Sequence, residues 1–217
     1  MQRFRDTTHM PGTDRTPAQL LASSLPLRET PGQAYAERRG VPVPVADAAG
    51  VRFDPDFGGR PALVVPMRDH SDLLTAVHGR YLHADHSQDK MRTIGTPGGV
   101  INVLGGWRAD PLILVEGLFD ALSLATCGLA SIATIGREAP WLADVSTGRT
   151  VWIAFDSGRP GEAESARYSG LLRGARTHRL PPPPRCKDWN TALVKLGPAA
   201  VSNWVSEHLA ASSRAAP

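Results

Sequence analysis

The second half of the chain alternates short apolar runs with amphipathic stretches. Residues 111–115 form a continuous apolar run, too short for a helix and too apolar for an edge strand, and a helical stretch at 118–127 follows it. The succession then repeats, with strands predicted at 130–135, 150–155 and 177–180 and helices predicted at 139–145, 162–174 and 188–196. Strands and helices that alternate at this spacing predict a mostly parallel four-stranded sheet flanked by helices.

The first half has a different pattern, in which short β-branched or alternating runs are separated by Gly, Pro and Asp turns. Such runs occur at 51–53, 62–66 and 74–81 and are typical of a small antiparallel sheet. We therefore predict four segments: a flexible lead at 1–30, a small mixed α+β subdomain at 31–108, an α/β domain at 109–197, and a C-terminal helix and tail at 198–217.

Composition excludes several classes of protein. The 217 residues are 41% hydrophobic and 21% charged, which is compatible with a buried core and excludes wholesale disorder. Only two cysteines occur, Cys127 and Cys186, so the chain cannot build a four-cysteine zinc ribbon by itself. No apolar run approaches the roughly 20 residues that span a bilayer. We expect a cytoplasmic protein without a membrane partner, and the net charge of +3 is weak support for a polyanionic one.

Two acidic residues follow predicted strands directly. Glu116 comes after LILV and Asp156 after VWIAF, and Asp120 lies one helical turn beyond Glu116. Because parallel strands end at the same edge of a sheet, these carboxylates should converge there. Converging carboxylates repel one another unless they bind a hard cation, and Mg²⁺ suits one or two of them. For any single one, the alternative is a solvated loop carboxylate.

These residues also carry a family resemblance. The segments LILVEGLFDALSLATCGLASIATIG, VWIAFDSGRPGEAESA and KDWNTAL resemble, in order and spacing, a Toprim domain of the bacterial-type primase group. The resemblance covers about 111–196 and implies the Toprim fold. It implies that Glu116 is a metal ligand or general base, that Asp120 is the helix acid, and that Asp156 is the first acid of a paired motif.

One position departs from the family pattern. Gly158 stands where the family has a second Asp, while Gly161 still matches the glycine before the next helix. Glu162 or Glu164 could substitute, although both belong to that helix. Either one metal suffices here, or the domain has lost catalysis and kept binding.

Upstream, the segment PALVVPMRDHSDLLTAVHGRYL resembles the small N-terminal subdomain of the primase catalytic core. The resemblance implies a cleft whose basic groups hold nucleotide and nucleic-acid phosphates. The basic candidates are Arg68, Arg80, Lys90, Arg92, Arg185 and Lys187. Lys187 and Asp188 match the family's Lys-Asp motif, but Asp188 could equally be only a helix cap.

The PPPP run at 181–184 precedes this motif, either as a stiff extended arm or as a plain spacer. Four histidines lie in the hairpin region of the first half: His70, His78, His83 and His86. Their spacing is not that of a zinc site, so we expect exposed hairpin residues instead.

The resemblance implies metal-dependent synthesis of short RNA primers on single-stranded DNA from nucleoside triphosphates, with Mg²⁺ or Mn²⁺. It fits a phage, plasmid or other mobile element, with a helicase or zinc-module protein as a further partner. Two alternatives stay open: a metal-dependent Toprim nuclease, and a catalytically silent nucleic-acid-binding adaptor.

Overall fold

The computed structural model describes residues 15–83 and 90–214 and contains two β-sheets. The first sheet is antiparallel, in the order β1-β2-β3-β4, and its strands are β1 Arg52–Asp54, β2 Ala62–Arg68, β3 Leu74–Tyr81 and β4 Met91–Gly95. The second sheet has the order β5-β7-β6-β8-β9, and its strands are β5 Ile101–Val103, β6 Leu112–Val115, β7 Ser131–Ala133, β8 Thr150–Ile153 and β9 Arg176–Arg179. The eight α-helices described are α1 Pro17–Ser23, α2 Pro31–Arg38, α3 Val43–Ala48, α4 Leu118–Thr126, α5 Leu142–Ser146, α6 Arg159–Leu171, α7 Trp189–Leu196 and α8 Pro198–Arg214.

The predicted flexible lead at 1–30 is wrong from Thr16 onward. Thr16 and Gln19 form a capping box at the start of α1, which satisfies backbone N–H groups that a helix otherwise leaves unpaired. Leu20 and Leu27 are completely buried against the first sheet and its helices. The apolar side chains of this segment therefore order it through tertiary burial. Residues 1–14 lie outside the described residues.

The antiparallel sheet contains a strand that the sequence pattern did not predict. Strand β4 pairs with β3 from Arg80↔Met91 to Ala76↔Gly95. Its residues are exposed or half-buried, so they lack the alternation of apolar and polar residues that marks a strand with one buried face.

The second sheet confirms the predicted parallel arrangement and adds one strand. β6 pairs in parallel with β7 on one side and with β8 on the other, and β9 extends the sheet from β8. The fifth strand, β5, lies antiparallel along β7, although its residues fall within the predicted 31–108 subdomain. The chain passes from β6 to β7 on one side and then crosses to β8 on the other side of β6, so the carboxyl ends of β6 and β8 flank a topological switch point, where α/β sheets bind ligands.

The two sheets share one hydrophobic core. An isolated bridge joins Arg68 of β2 to Val100, and a single buried cluster includes Met67 of the first sheet and Leu122 of α4. The proline run belongs to this packing and is more than a spacer: Pro182 and Pro183 are buried, and the Trp204 indole donates a 3.0 Å hydrogen bond to the Pro181 carbonyl. Among the described residues, the membrane-span criterion of length and apolar character is met by none of the helices.

Candidate functional site

A cleft of about 500 Å³ lies between the two sheets, at the carboxyl end of β6. The side contributed by the second sheet and its helices carries carboxylates: Glu116, Asp120, Asp156 and Asp188. The side contributed by the first half carries basic residues: Arg39, Arg80 and Lys90. One cleft thus presents groups suited to a cation and groups suited to phosphates.

Glu116 and Asp156 are joined by a hydrogen bond across neighbouring strands. Glu116 follows β6, Asp156 follows the extended residues after β8, and the backbone N–H of Asp156 donates to Glu116 Oε1 at 3.2 Å. Gly161 makes the return of the chain possible, since a Cβ there would lie 2.0 Å from the Asp156 carbonyl oxygen. The convergence predicted from the strand pattern is therefore present in the structure.

Asp156 sits in an environment that disfavours its charge. Burial and the nearby carboxylates of Glu116 and Asp188 raise the pKa of Asp156 to about 6, against the opposing effect of Lys187 and Arg179. The Lys187 ammonium is 3.9 Å from Asp156 Oδ2, and Arg179 donates to the Asp156 backbone carbonyl at 2.8 Å. The positive charges of Lys187 and Arg179 offset the repulsion among the carboxylates only in part. A bound metal cation would offset the rest.

Asp120 is buried on the wall of the same cleft. Its Oδ1 accepts a 3.1 Å hydrogen bond from the backbone N–H of Trp189, the first residue of α7. Burial, with the charges of Asp156 and Asp188, raises the pKa of Asp120 to about 7. Asp120 therefore fixes the start of α7 beside the acids, in addition to facing the cleft.

Asp188 caps a helix and also lines the cleft. Its Oδ1 accepts a 2.6 Å hydrogen bond from the Thr191 N–H and so caps α7. It also lines the cleft, next to Lys187.

The raised carboxylate pKa values predict a pH-dependent stability. A folded-state pKa above the unfolded value means that stability is fully present below about pH 4 and is lost as the pH rises through about 6. We expect Asp156→Asn to raise the free energy of unfolding of the metal-free protein by about 1–2 kcal/mol at about pH 8, and to change it little at about pH 4. Urea unfolding in chelator at both pH values measures this difference.

The lowered pKa of His78 makes the free energy of unfolding change with pH in the opposite direction. The contribution of Asp156 is therefore measured as the difference between the variant and the wild type at each pH. Asp72→Asn is the control, since the Asp72 side chain is 68% exposed and lies outside the cleft. An Asp156→Asn variant that is less stable than wild type at about pH 8 would contradict the prediction.

Gly158 adopts a backbone conformation, φ 94° and ψ 175°, that is close to glycine-only. There is open space around it, so the strain of the backbone, and not crowding, disfavours an aspartate at this position. The loop is therefore shaped for glycine where the family has its second acid.

The two glutamates considered as substitutes are engaged elsewhere. Glu162 accepts from Arg179 at 2.9 Å, and Glu164 accepts from Arg167 at 2.6 Å. Neither lines the cleft. Within residues 15–83 and 90–214, no group of three or more His, Cys, Asp or Glu side chains is arranged to hold a metal. The described donors therefore fit a cation held by two carboxylates and otherwise by water or substrate oxygens.

The structure divides the predicted basic residues into two groups. Arg80, Lys90 and Lys187 line the cleft. Arg68, Arg92 and Arg185 do not line it; Arg68 instead donates to the backbone carbonyl of Asp72 at 2.8 Å.

Register explains why Arg68 and Arg92 lie elsewhere. Arg68 ends β2 opposite Leu74, whereas Arg80 pairs near the start of that strand. Arg92 follows Met91, and successive strand residues point to opposite faces. Met91 therefore faces the cleft beside Arg80, while Arg92 points toward Gly58.

Three polar residues of the cleft were not recognised as site residues from the sequence. Arg39 donates to Asn190 Oδ1 at 2.8 Å, and Asn190 Nδ2 donates back to the Arg39 carbonyl at 2.7 Å, which ties the end of α2 to α7. The third, His78, is buried in β3. No local signal distinguishes Arg39 from its neighbour Arg38, and Asn190 was visible only as part of KDWN.

The histidines do not form a common site in the described part of the chain. His70 contacts the Trp141 ring at a centroid distance of 5.4 Å, whereas His78 bonds Thr93. His78 is buried, against the expectation of exposed hairpin residues. His86 lies outside the described residues.

Comparison with known families decides the identity of the second half. A model described as Toprim-like matches residues 113–193. This segment is a Toprim-like domain. Residues 12–101 match a model described as a domain of unknown function (DUF7146), and no curated protein matches the chain.

Solved structures extend the likeness to both halves of the cleft. The Aquifex aeolicus primase, with its zinc-binding and RNA polymerase domains, is 17% identical with a TM-score of 0.69, over 88% of this chain and 59% of that one. The RNA polymerase domain of Mycobacterium tuberculosis primase DnaG is 16% identical with a TM-score of 0.68, over 88% and 81%. A DnaG catalytic domain bound to single-stranded DNA is 18% identical with a TM-score of 0.67, over 88% and 77%.

The chain thus spans about 59% of the Aquifex aeolicus chain that it resembles. At these identities the likeness establishes the fold: a Toprim-like domain joined to a first half, as in primase catalytic cores.

Proposed function

We propose that this Toprim-like protein is a primase-type nucleotidyltransferase that makes short RNA primers on single-stranded DNA. The observation that carries the proposal is the single cleft in which the carboxylates of the Toprim-like domain face Arg39, Arg80 and Lys90 of the first half. Such a pairing of a cation site with phosphate-binding groups is what phosphoryl transfer requires, because its catalysis consists largely of positioning and charge stabilisation. The likeness to primase cores, one of them bound to single-stranded DNA, supports the same function.

Glu116 and Asp156 are the proposed ligands of one divalent cation, Mg²⁺ or Mn²⁺. The fit rests on oxygen donors alone, on their hydrogen-bonded proximity, and on crowding that raises the pKa of Asp156. A bound divalent cation would neutralise phosphate charge and favour ionisation of an attacking hydroxyl.

The remaining groups bind and orient the substrates. Arg80, Lys90 and Arg39 bind phosphates of the template or the incoming triphosphate, and the bidentate geometry of the guanidinium suits that contact. Lys187 faces Asp156 and is placed to neutralise charge that develops beside it. Asp120 and Asp188 hold the start of α7, and with it the Lys187 and Asp188 motif, against the site.

The cleft-lining basic residues bind the nucleotide, whereas Arg68 and Arg92 do not line the cleft and have no part in that binding. Selection of the template by a zinc-module protein, or loading by a helicase, would take place outside this cleft. Co-purification with such a partner from cells would test that part separately.

A primer-synthesis assay tests the function. The protein is incubated with single-stranded DNA, labelled ribonucleotides and Mg²⁺ or Mn²⁺, and the products are resolved by size. We expect labelled oligoribonucleotides that depend on both the template and the metal. Template shortening instead would make the protein a nuclease, and DNA binding without either product would make it an adaptor, the alternative that Gly158 favours.

A further inference from the structure

His78 is a buried residue with one ring nitrogen left unpaired at the cleft. Only 2% of its surface is exposed, yet it lines the cleft. On β3 it lies two residues from Arg80, on the same face of the strand. Its Nδ1 is 2.9 Å from Oγ1 of Thr93, its cross-strand partner on β4. This bond fixes the ring and leaves Nε2 as the group that can meet a ligand.

The ring is neutral at physiological pH. Burial, together with the charges of Arg80 and Arg137, lowers the pKa of His78 to about 4. Among the described residues, Nε2 has no hydrogen-bond partner, and it is not among the side-chain atoms sealed from solvent without one. A neutral nitrogen that can accept or donate one hydrogen bond is therefore available in a cleft whose other polar lining residues are mostly charged.

The neighbourhood of this nitrogen differs from the rest of the cleft. Met91 lies directly across from Arg80, lines the cleft, and is 50% exposed. In the proposed function, Arg39, Arg80 and Lys90 bind phosphates, and Glu116 and Asp156 bind a metal cation. A neutral hydrogen-bonding group beside an exposed thioether instead suits the uncharged parts of a nucleotide, which are sugar hydroxyls, base edges and base faces.

We propose that His78, held by Thr93 and flanked by Met91, forms a nucleoside subsite in which Nε2 hydrogen-bonds a sugar hydroxyl or base-edge atom of a nucleotide whose phosphates contact Arg80. The inference rests on the proposed function in that it requires a nucleotide in this cleft. Through His78, the cleft would bind a nucleotide more tightly than an inorganic polyphosphate.

Two substitutions at His78 separate its two nitrogens. His78→Asn keeps a polar atom near the position of Nδ1, and so keeps the bond to Thr93, but removes the ring nitrogen that is left without a partner among the described residues. His78→Gln places a polar atom near the position of Nε2. The affinities of both variants and of wild type for ATP, dATP and inorganic tripolyphosphate, each with Mg²⁺, are measured by calorimetry, with thermal unfolding as a check on the fold.

We expect His78→Asn to weaken ATP binding by about 5- to 10-fold, the effect of one hydrogen bond, and to leave tripolyphosphate binding within about twofold. His78→Gln should recover most of the loss. If the partner is the 2′-hydroxyl, dATP binds wild type as weakly as ATP binds the Asn variant. If the partner is a base-edge atom, His78→Asn weakens the binding of ATP and of dATP by the same factor, and that factor changes with the base of the nucleotide.

Equal weakening of ATP and tripolyphosphate, or no change for either, would overturn the subsite. If His78→Asn fails to fold, Thr93→Val serves instead: it frees the ring without altering a cleft-lining residue, and it should weaken ATP binding by about threefold with no effect on tripolyphosphate.

The outcome for the subsite is separable from that for the proposed function. Primer synthesis by a wild type that binds ATP no better than tripolyphosphate would remove the subsite and keep the function. An ATP preference that His78→Asn abolishes, in a protein that makes no primers, would keep the subsite and remove the function.

Discussion

Glu116→Gln is expected to reduce primer synthesis at least about 100-fold and to abolish the stabilisation of the protein by Mg²⁺. Glutamine keeps an oxygen that can accept the 3.2 Å hydrogen bond from the Asp156 N–H, so the loop after β8 should hold its position. What the substitution removes is the charge that a divalent cation needs. Primer yield with Mg²⁺ or Mn²⁺ and the thermal unfolding temperature with and without metal give two independent readouts.

Glu164→Gln is the matched control. Glu164 carries the same charge on the same domain, pairs with Arg167, and does not line the cleft. It should keep wild-type synthesis within about twofold and the full metal-dependent shift in unfolding temperature. Unchanged synthesis by Glu116→Gln would refute the proposed role of this residue, and a preserved shift would refute the metal site itself.

Trp189→Ala is expected to lower the free energy of unfolding by about 3–5 kcal/mol. The indole is completely buried, and its Nε1–H donates to the Ala154 carbonyl at 2.7 Å. Truncation would leave a large cavity and an unpaired carbonyl between α7 and the residues that follow β8. Urea unfolding monitored by circular dichroism measures the loss.

Two further variants separate the contribution of the Trp189 hydrogen bond to stability from that of its buried surface. Trp189→Phe keeps most of the buried area and loses the hydrogen bond, so we expect a loss of about 1–2 kcal/mol. Trp204 makes a similar hydrogen bond, to Pro181 at 3.0 Å, but is only half-buried. Trp204→Ala should therefore cost less than Trp189→Ala, and an equal or larger cost would show that the stabilisation by Trp189 does not come mainly from its burial.

The site acids were predictable from the sequence because their positions follow from strand geometry alone. Glu116 and Asp156 come directly after apolar runs, and parallel strands deliver such residues to a common edge. Asp120 lies one helical turn after Glu116, and this spacing predicted that it faces the same edge of the sheet. Gly158 was visible as a departure from the family, but its positive φ, and the engagement of Glu162 and Glu164 with arginines, required coordinates.

The basic side of the cleft was only partly predictable. Arg80 and Arg68 look alike in sequence, and only the β2–β3 register places one at the cleft and the other at the far end of the strand. Arg92 depended on a strand, β4, that has no amphipathic pattern. The segment of α1 was assigned to a flexible lead because its order comes from the burial of Leu20 against the first sheet.

By itself, the sequence determined the parallel sheet and the convergence of Glu116 with Asp156, which depend on local periodicity and on residues adjacent to strands. The likeness to a Toprim domain came separately, from the resemblance of its motifs to that family. Only the tertiary structure decided which basic side chains face those acids. It also decided that Arg39 contacts Asn190, 151 residues away in sequence, and that His78 is buried and neutral at the cleft. Strand register and helix docking bring distant residues together, and neither leaves a periodic signal in the chain.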